Sequence, residues 1–127
     1  MRSIRVKFRN RTMGVALAEG RLARLLGMSF RGAWKKEGML FVFKKQGRYP
    51  FWMWGMRLPI DLVWLKKRTV VGFEENLQPP ASRWHLLFPF LLRRYRPPEA
   101  VDGVLEVPAG FCRQNRLKRG EVLDAQN

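Results

Sequence analysis

Apolar and polar residues alternate at the start of the chain, and the alternation then gives way to longer apolar blocks. Residues 4–9 read Ile-Arg-Val-Lys-Phe-Arg, which places three apolar side chains on one side of an extended backbone and three basic ones on the other. A period of two is typical of a half-buried strand. Residues 13–17 favour a second strand, which Gly14 weakens. Over residues 18–26 the spacing is that of a short amphipathic helix, and Gly27 suits its end.

Six further segments have the length and composition of strands. Several are apolar on both faces, so they must be central in a sheet and covered on each side. Short strands separated by turns are typical of a sandwich or barrel. The pattern predicts one domain over residues 1–127 with a mainly β fold, a β-sandwich or half-closed barrel of mostly antiparallel strands, and one short α-helix in its N-terminal half. The predicted strands are 38–43, 49–56, 58–65, 69–73, 101–107 and 121–125.

A proline-flanked excursion at residues 77–98 interrupts this pattern. Pro89 lies in its middle and argues against one long helix, because proline breaks a helix interior. We interpret the segment as an extended excursion whose apolar residues pack on the body of the domain. Its apolar and basic stretch, residues 84–96, also suits contact with an anionic membrane, with the arginines at the lipid head groups.

The charge of the chain is strongly basic and concentrated near the N-terminus. The 127 residues include 25 Lys and Arg against 10 Asp and Glu, for a net charge of +15, and the first 48 residues hold 13 of the basic ones. Such a field attracts nucleic acid or another anionic surface, although a solvated face without a dedicated partner is the plainer interpretation. The candidate residues for an anionic partner are Arg5, Lys7, Arg9, Arg11, Arg21, Arg24, Lys35 and Lys36.

Several classes of protein are excluded by what the chain lacks. The longest run without a charged residue is nine residues, 84–92, and a membrane-spanning helix needs about 20. No long apolar stretch follows the basic N-terminus, so we expect no signal peptide and a cytoplasmic location. One cysteine, Cys112, and one histidine, His85, exclude an internal disulfide and the usual Cys/His zinc site. With no glycine-rich phosphate loop either, the sequence predicts no cofactor and no metal.

Two acidic residues interrupt apolar strands. A buried carboxylate must be paired, hydrogen-bonded or protonated. Pro59 places Asp61 near the start of a strand, where backbone N–H groups are free, so we interpret Asp61 as a structural acceptor of those amides or as a partner of Arg31 or Arg57. The alternative is a site carboxylate at the mouth of a cavity. If Asp61 and Glu106 converge, they form an acid/base pair or an oxygen-ligand cation site, which predicts a hydrolase or metal-assisted enzyme.

The block of residues 51–56, Phe-Trp-Met-Trp-Gly-Met, is rich in aromatic and sulfur-containing side chains. One face of this block should fill the core, and the other fills a second core or binds a flat or apolar ligand. A glycine there lets a ligand approach the backbone. We therefore favour a small non-enzymatic binding domain with an aromatic groove near residues 51–61 and a small or peptide-like ligand. The candidate binding residues are Arg31, Trp52, Met53, Trp54, Gly55, Asp61 and Glu106.

Taken in order, the blocks of this chain resemble the bacterial and archaeal family known as domain of unknown function 192, over roughly residues 14–124. Many members read Trp-Met-Lys-Asn-Thr where this chain reads Trp52-Met53-Trp54-Gly55-Met56, a form closer to the archaeal branch. The resemblance implies a compact, mainly β domain with one helix near the N-terminus, and it implies no activity. The matching pieces are 27–31, 38–43, Trp52-Met53, 59–61, 70–71, 95–97 and 104–110.

Overall fold

The computed structural model describes residues 2–19, 36–53, 56–88 and 92–126. Its regular elements within these ranges are mostly strands, with one short helix, α1, and one 3₁₀ turn. The helix α1 spans Phe111–Gln114 and the 3₁₀ turn spans Arg83–Leu86. The strands are β1 Arg2–Phe8, β2 Arg11–Ala18, β3 Gly38–Gly47, β4 Phe51–Trp52, β5 Ile60–Lys66, β6 Thr69–Leu77, β7 Arg94–Tyr95, β8 Val101–Pro108 and β9 Asp124–Gln126.

Seven strands form one mixed sheet in the order β6-β5-β8-β3-β2-β1-β9. Its neighbours run antiparallel except β2 and β3, which are parallel. The sheet is not closed into a barrel, but the chain before β9 reaches back to β6. The Val70 amide donates to the Glu121 carbonyl and the Leu123 amide to the Arg68 carbonyl, both at 2.8 Å. The predicted mainly β fold is confirmed.

The sheet buries apolar side chains on both faces. One set, the α1-side core, includes Val63 and Leu105 and packs against Phe111 of α1. The other set, the β4-side core, includes Leu62 and Trp64 and lies on the opposite face. Alternation along each strand assigns neighbours to different cores. This explains why β5 and β8 are apolar on both faces, since they are central strands covered on each side, as the sequence predicts.

One predicted strand differs from the structure, and the predicted helix lies mostly outside the described residues. The predicted strand 49–56 is reduced to β4, which pairs with β7 in a separate two-stranded sheet. Pro50 precedes β4, and proline cannot donate to a ladder, so it suits a strand start. The predicted helix 18–26 lies outside the described residues except at its start. At that start, Ala18 is the last residue of strand β2 and pairs with Phe41 of β3.

In the described part of the excursion at 77–98, the prediction that its apolar residues pack on the body holds for Leu77, which lies in the β4-side core, and fails at the 3₁₀ turn. Trp84 and Leu87 are exposed. The segment is anchored instead by β7 and by Tyr95, which packs against the β4-side core. The Arg48 side chain also donates to the Pro97 carbonyl at 3.0 Å. These contacts and the buried Leu77 lie at the two ends of the segment, and the 3₁₀ turn between them faces solvent. None of the described helices is long and apolar enough to cross a membrane.

Gly38 begins β3 where its backbone approaches β8. A Cβ at this position would lie 2.7 Å from the Glu106 carbonyl oxygen and 3.0 Å from a methyl carbon of Val107. We expect Gly38→Ala to lower the free energy of unfolding by about 1–3 kcal/mol, because the strands must shift apart.

Gly14 on β2 provides the matched control for this substitution. No described atom lies within 4 Å of a Cβ placed there. Gly14→Ala should therefore be neutral or stabilising by at most about 1 kcal/mol. Urea denaturation of both variants measures the difference, and equal losses would contradict the steric explanation.

Candidate functional site

Asp61 is fully buried on the α1-side of β5. The Asn76 backbone N–H donates to its Oδ1 at 2.8 Å, and the Cys112 N–H donates to its Oδ2 at 3.0 Å. One carboxylate therefore ties three elements together: β5, the end of β6 and the start of α1. Asp61 is therefore a structural acceptor of backbone amides, as predicted, but the amides belong to residues 76 and 112 and not to the start of its own strand.

The local backbone explains why an acceptor is needed opposite β6. Ile60 pairs with Leu77 and Leu62 pairs with Glu74, so β6 carries one residue more than β5 across this interval. An extra residue of this kind forms a β-bulge and leaves backbone groups without a ladder partner. Asn76 adopts φ 55° in the left-handed region, which asparagine tolerates better than most residues. Its amide hydrogen then points to the Asp61 carboxylate.

The start of α1 needs the same carboxylate. The first backbone amides of a helix have no partner within the helix. The residue at the N-cap position is Gly110, which has no side chain to accept them. Asp61 replaces the missing cap from a distant strand. Burial, and next the Asp61 carboxylate, raise the pKa of the Cys112 thiol far above its ordinary value. The thiol stays protonated and is not an activated nucleophile.

Glu106 is buried as well, but on the other face of the sheet. Asp61 pairs with Val107 of the α1-side core, whereas Glu106 pairs with Leu62 of the β4-side core. Directly opposed residues of adjacent strands point to the same face. The sheet therefore separates the two carboxylates, and the shared cavity that the enzyme hypothesis requires is not formed. Across the described part of the chain, no cluster of three His, Cys, Asp or Glu side chains suits a metal ion.

The aromatic block divides between core and surface as its alternation predicts. The Phe51 ring lies edge-on to Phe41, with centroids 5.4 Å apart, and to Trp64 at 5.7 Å. Met53 is buried in the same β4-side core. Trp52 lies on the other side of β4 and is half-buried. The remaining candidates of this group, Arg31, Trp54 and Gly55, lie outside the described residues.

Trp52 and Arg94 line an open groove together. They are paired across β4 and β7, and the Arg94 guanidinium carbon lies 5.2 Å from the Trp52 ring centre. The groove has a volume of about 370 Å³, with Pro50 and Phe51 completing its lining. Within the described ranges, no carboxylate forms an ion pair with Arg94. An aromatic wall beside an unneutralised cation suits a flat or apolar ligand with an anionic group.

The comparisons with known proteins identify the family. The family model DUF192, described as an uncharacterized ACR, matches residues 4–125. The chain belongs to the DUF192 family. That family has no assigned function, and no curated protein matches this DUF192 chain.

Two solved structures share the fold of this DUF192 protein. One comes from Sinorhizobium meliloti 1021 and is provisionally described as a transcription regulator; it is 24% identical, with a TM-score of 0.84 over 98% of this chain and 94% of that chain. The other is a protein of unknown function from Novosphingobium aromaticivorans DSM 12444, 20% identical, with a TM-score of 0.77 over 96% of this chain and 83% of that chain. Identities this low establish the fold alone.

A second cavity of about 290 Å³ opens at the end of the α1-side core of this DUF192 fold, next to Leu123. Two of its charged lining residues, Asp102 and Arg68, are engaged within the protein. Asp102 accepts the Lys67 backbone N–H at 3.0 Å, and Arg68 forms an ion pair with Asp124. This cavity lacks the paired tryptophan and arginine that line the Trp52–Arg94 groove.

Arg9 belongs to the predicted anionic-partner patch, but it is used inside the protein. Its guanidinium donates to the carbonyls of Asn115 at 2.6 Å and Arg116 at 3.1 Å. It also forms an ion pair with Glu121 at 2.6 Å. The Arg9 side chain therefore links the β1–β2 turn to the segment that follows α1.

Arg11 is engaged in the same way, through Glu37. The two side chains form an ion pair at 3.0 Å, and Glu37 Oε2 accepts the Gly14 backbone N–H at 2.8 Å. The Gly14 amide and then Arg11 lower the pKa of Glu37. Three members of the predicted patch lie outside the described residues: Arg21, Arg24 and Lys35. The other members are described and exposed, and of these Arg5, Lys7 and Lys36 are exposed in addition to the engaged Arg9 and Arg11.

Sequence reasoning missed Arg94 as a partner of Trp52. The two residues are paired only because β7 returns to β4 from the end of the excursion. Two-residue strands carry no periodicity, so no local signal indicated this pairing. The clustering of arginines at 93–96 after an apolar run was the one available hint.

Proposed function

We propose that this DUF192 protein is a small non-enzymatic binding domain. Its site is the groove between Trp52 and Arg94, and its ligand is a small or peptide-like molecule with a flat or apolar group and an anionic group. The single observation behind this proposal is the placement of an aromatic side chain and a cation on the outer side of the β4–β7 pair.

The support beneath the groove favours binding by a rigid surface. Phe51, next to Trp52, is held by edge contacts with Phe41 and Trp64 of the core. A wall fixed before binding loses less conformational entropy when the ligand arrives. A guanidinium stacked on a ring uses its flat face for the ring, so its N–H edge is available to a carboxylate or phosphate.

Chemistry by the acidic residues is not supported. Asp61 is occupied by two backbone amides, and Glu106 lies on the other face of the sheet. The thiol of Cys112 is buried and protonated. These observations remove the acid/base pair and the activated thiol, and they leave recognition as the function that the groove supports.

A matched pair of ligands tests the groove in solution. We expect 2-naphthoate to bind the full chain about tenfold more tightly than 2-naphthamide, because the carboxylate gains a charge-assisted hydrogen bond from Arg94. Arg94→Gln should remove this preference, and Trp52→Ala should weaken both ligands. Isothermal titration calorimetry measures the affinity of the wild type and of the two variants for each of the two ligands.

Arg57→Gln is the control for these variants, because Arg57 is exposed and close in sequence but does not line the groove. It should keep the preference of the wild type. Equal affinity of the wild type for the two ligands, or the same loss in Arg57→Gln as in Arg94→Gln, would overturn the proposal.

An anionic macromolecule such as nucleic acid is the second candidate. The exposed Arg5 and Lys7 on β1 favour it. It ranks second because Arg9 and Arg11, which were part of the predicted patch, are engaged within the protein. A cytoplasmic location remains a prediction from the sequence.

A further inference from the structure

The 3₁₀ turn in the excursion presents large apolar side chains to solvent. Trp84 is 65% exposed, Leu87 70% and Phe88 40%. Single exposed apolar residues are common on protein surfaces and need no explanation. Three of them within five residues form a continuous patch, and such patches mark interaction sites. We refer to Trp84, Leu87 and Phe88 as the turn patch.

The turn patch is built by a closed turn. The Ser82 hydroxyl accepts the Trp84 backbone N–H at 3.2 Å. The amides of Leu87 and Phe88 donate to the Trp84 carbonyl at 3.1 and 3.0 Å. The rings of Trp84 and Phe88 lie 6.2 Å apart at an interplanar angle of 26°. These contacts hold the apolar side chains together on the outside of the domain.

The charges of the segment that carries the turn patch have one sign. Residues 77–98 contain four arginines and no acidic residue. Arg83, Arg93 and Arg96 are exposed, and the Arg93 guanidinium carbon lies 4.9 Å from the Tyr95 ring centre. The segment therefore combines exposed apolar side chains with exposed basic ones.

We propose that the turn patch and these arginines attach the protein to the surface of an anionic lipid bilayer. Tryptophan and phenylalanine beside basic residues suit the membrane interface, where the rings enter the head-group region and the cations meet lipid phosphates. The net charge of +15 adds a long-range attraction to the same surface. The attachment is peripheral, because the apolar run is far too short to span.

Other occupants fit the turn patch less well. A nucleic acid would stack on the aromatic rings, but Leu87 is the most exposed member of the patch and offers a base nothing to pair or stack with. A stable protein interface buries about 800 Å² per partner around a central apolar anchor, which is more than three side chains on one turn supply. A bilayer accepts all three side chains and the arginines together.

Vesicle flotation of the full chain tests the proposal. The wild type should bind phosphatidylglycerol vesicles at low ionic strength, bind phosphatidylcholine vesicles at least about tenfold less, and lose binding as salt rises. The double variant Trp84→Ser/Leu87→Ser should bind phosphatidylglycerol at least about tenfold less, because two apolar side chains no longer leave water. Both residues are exposed, so the variant should fold as the wild type does, which circular dichroism checks.

Two controls separate the patch from general surface effects. Val122→Ser replaces another exposed apolar residue, 55% exposed, outside the turn patch, and should bind as the wild type does. Arg93→Gln/Arg96→Gln should weaken binding more than Lys118→Gln/Arg119→Gln, which removes the same charge from another exposed turn.

Four results would overturn the proposal. They are no binding to phosphatidylglycerol at low salt, equal binding to phosphatidylcholine, equal losses in the patch variant and Val122→Ser, and self-association or RNA binding that depends on the turn patch while vesicle binding does not. None of these variants alters Trp52 or Arg94, so titration with 2-naphthoate reports on the groove separately.

Discussion

Replacing Asp61 by alanine should lower the free energy of unfolding by about 3–5 kcal/mol. The variant loses two hydrogen bonds to a carboxylate, each with an expected contribution of about 1.5–3 kcal/mol, and leaves two amide hydrogens without an acceptor. Those amides belong to the bulge at Asn76 and to the start of α1 at Cys112. The loss should therefore loosen two elements that are remote in sequence.

Asp61→Asn refines this expectation. The amide side chain has nearly the same volume but one acceptor oxygen, and its NH₂ group would face one of the two backbone donors. We expect an intermediate loss of about 1.5–3 kcal/mol. Urea denaturation followed by far-ultraviolet circular dichroism measures both variants.

Asp124→Ala is the matched control for the Asp61 variants. Asp124 forms an ion pair with Arg68 in which both side chains are largely exposed, and such pairs contribute about 0–1 kcal/mol. If Asp61→Ala costs no more than Asp124→Ala, the buried carboxylate does not hold these elements together.

Replacing Trp64 by alanine should cost about 3–5 kcal/mol, the range for removing a large buried aromatic side chain. Trp64 is 1% exposed at the centre of the β4-side core. Its ring supports Phe51, the residue beneath the groove. The cavity in this variant would therefore lie directly under β4.

Trp84→Ala tests whether burial, and not the residue type, decides the loss of stability. The same substitution at this exposed position should change stability by no more than about 0.5 kcal/mol. The two variants are compared by urea denaturation under one set of conditions. Similar losses at the two positions would contradict the placement of Trp64 in the core and of Trp84 on the surface.

The fold could be predicted from the sequence wherever burial produces a regular pattern of apolar and polar residues. The alternation in β1 indicated a half-buried strand, and the two-sided apolar composition of β5 indicated a central one. Asp61 could be interpreted as a structural acceptor because a carboxylate inside an apolar strand must be satisfied. In each case burial restricts which residue types can lie at a position, so the local sequence is enough for the prediction.

The candidate site was only partly predictable, because long-range pairing decides it. Trp52 was a candidate from its block, whereas Arg94 became its neighbour through the short β4–β7 pair. The exposure of the turn patch was only one of two interpretations of residues 84–96, since apolar residues in a sequence are more often buried. The partner amides of Asp61 come from a bulge and a helix start that no spacing rule relates to β5.

The bulge at Asn76 also explains why a mainly local interpretation of Asp61 was incomplete. The sequence placed its amide partners near the start of its own strand, next to Pro59. The structure shows them at residues 76 and 112 instead. The carboxylate links distant parts of the chain. It lies on the opposite face of the sheet from the groove, so its structural role is separate from the proposed binding site.

Chemical-shift mapping of the ¹⁵N-labelled full chain during titration with 2-naphthoate tests most directly whether the Trp52–Arg94 groove is the binding site. We expect saturable changes that are largest at the Trp52 indole N–H and at the amides of Phe51, Arg94 and Tyr95. Largest changes around Asp102 and the second cavity, or no saturable change at all, would contradict the proposed binding function.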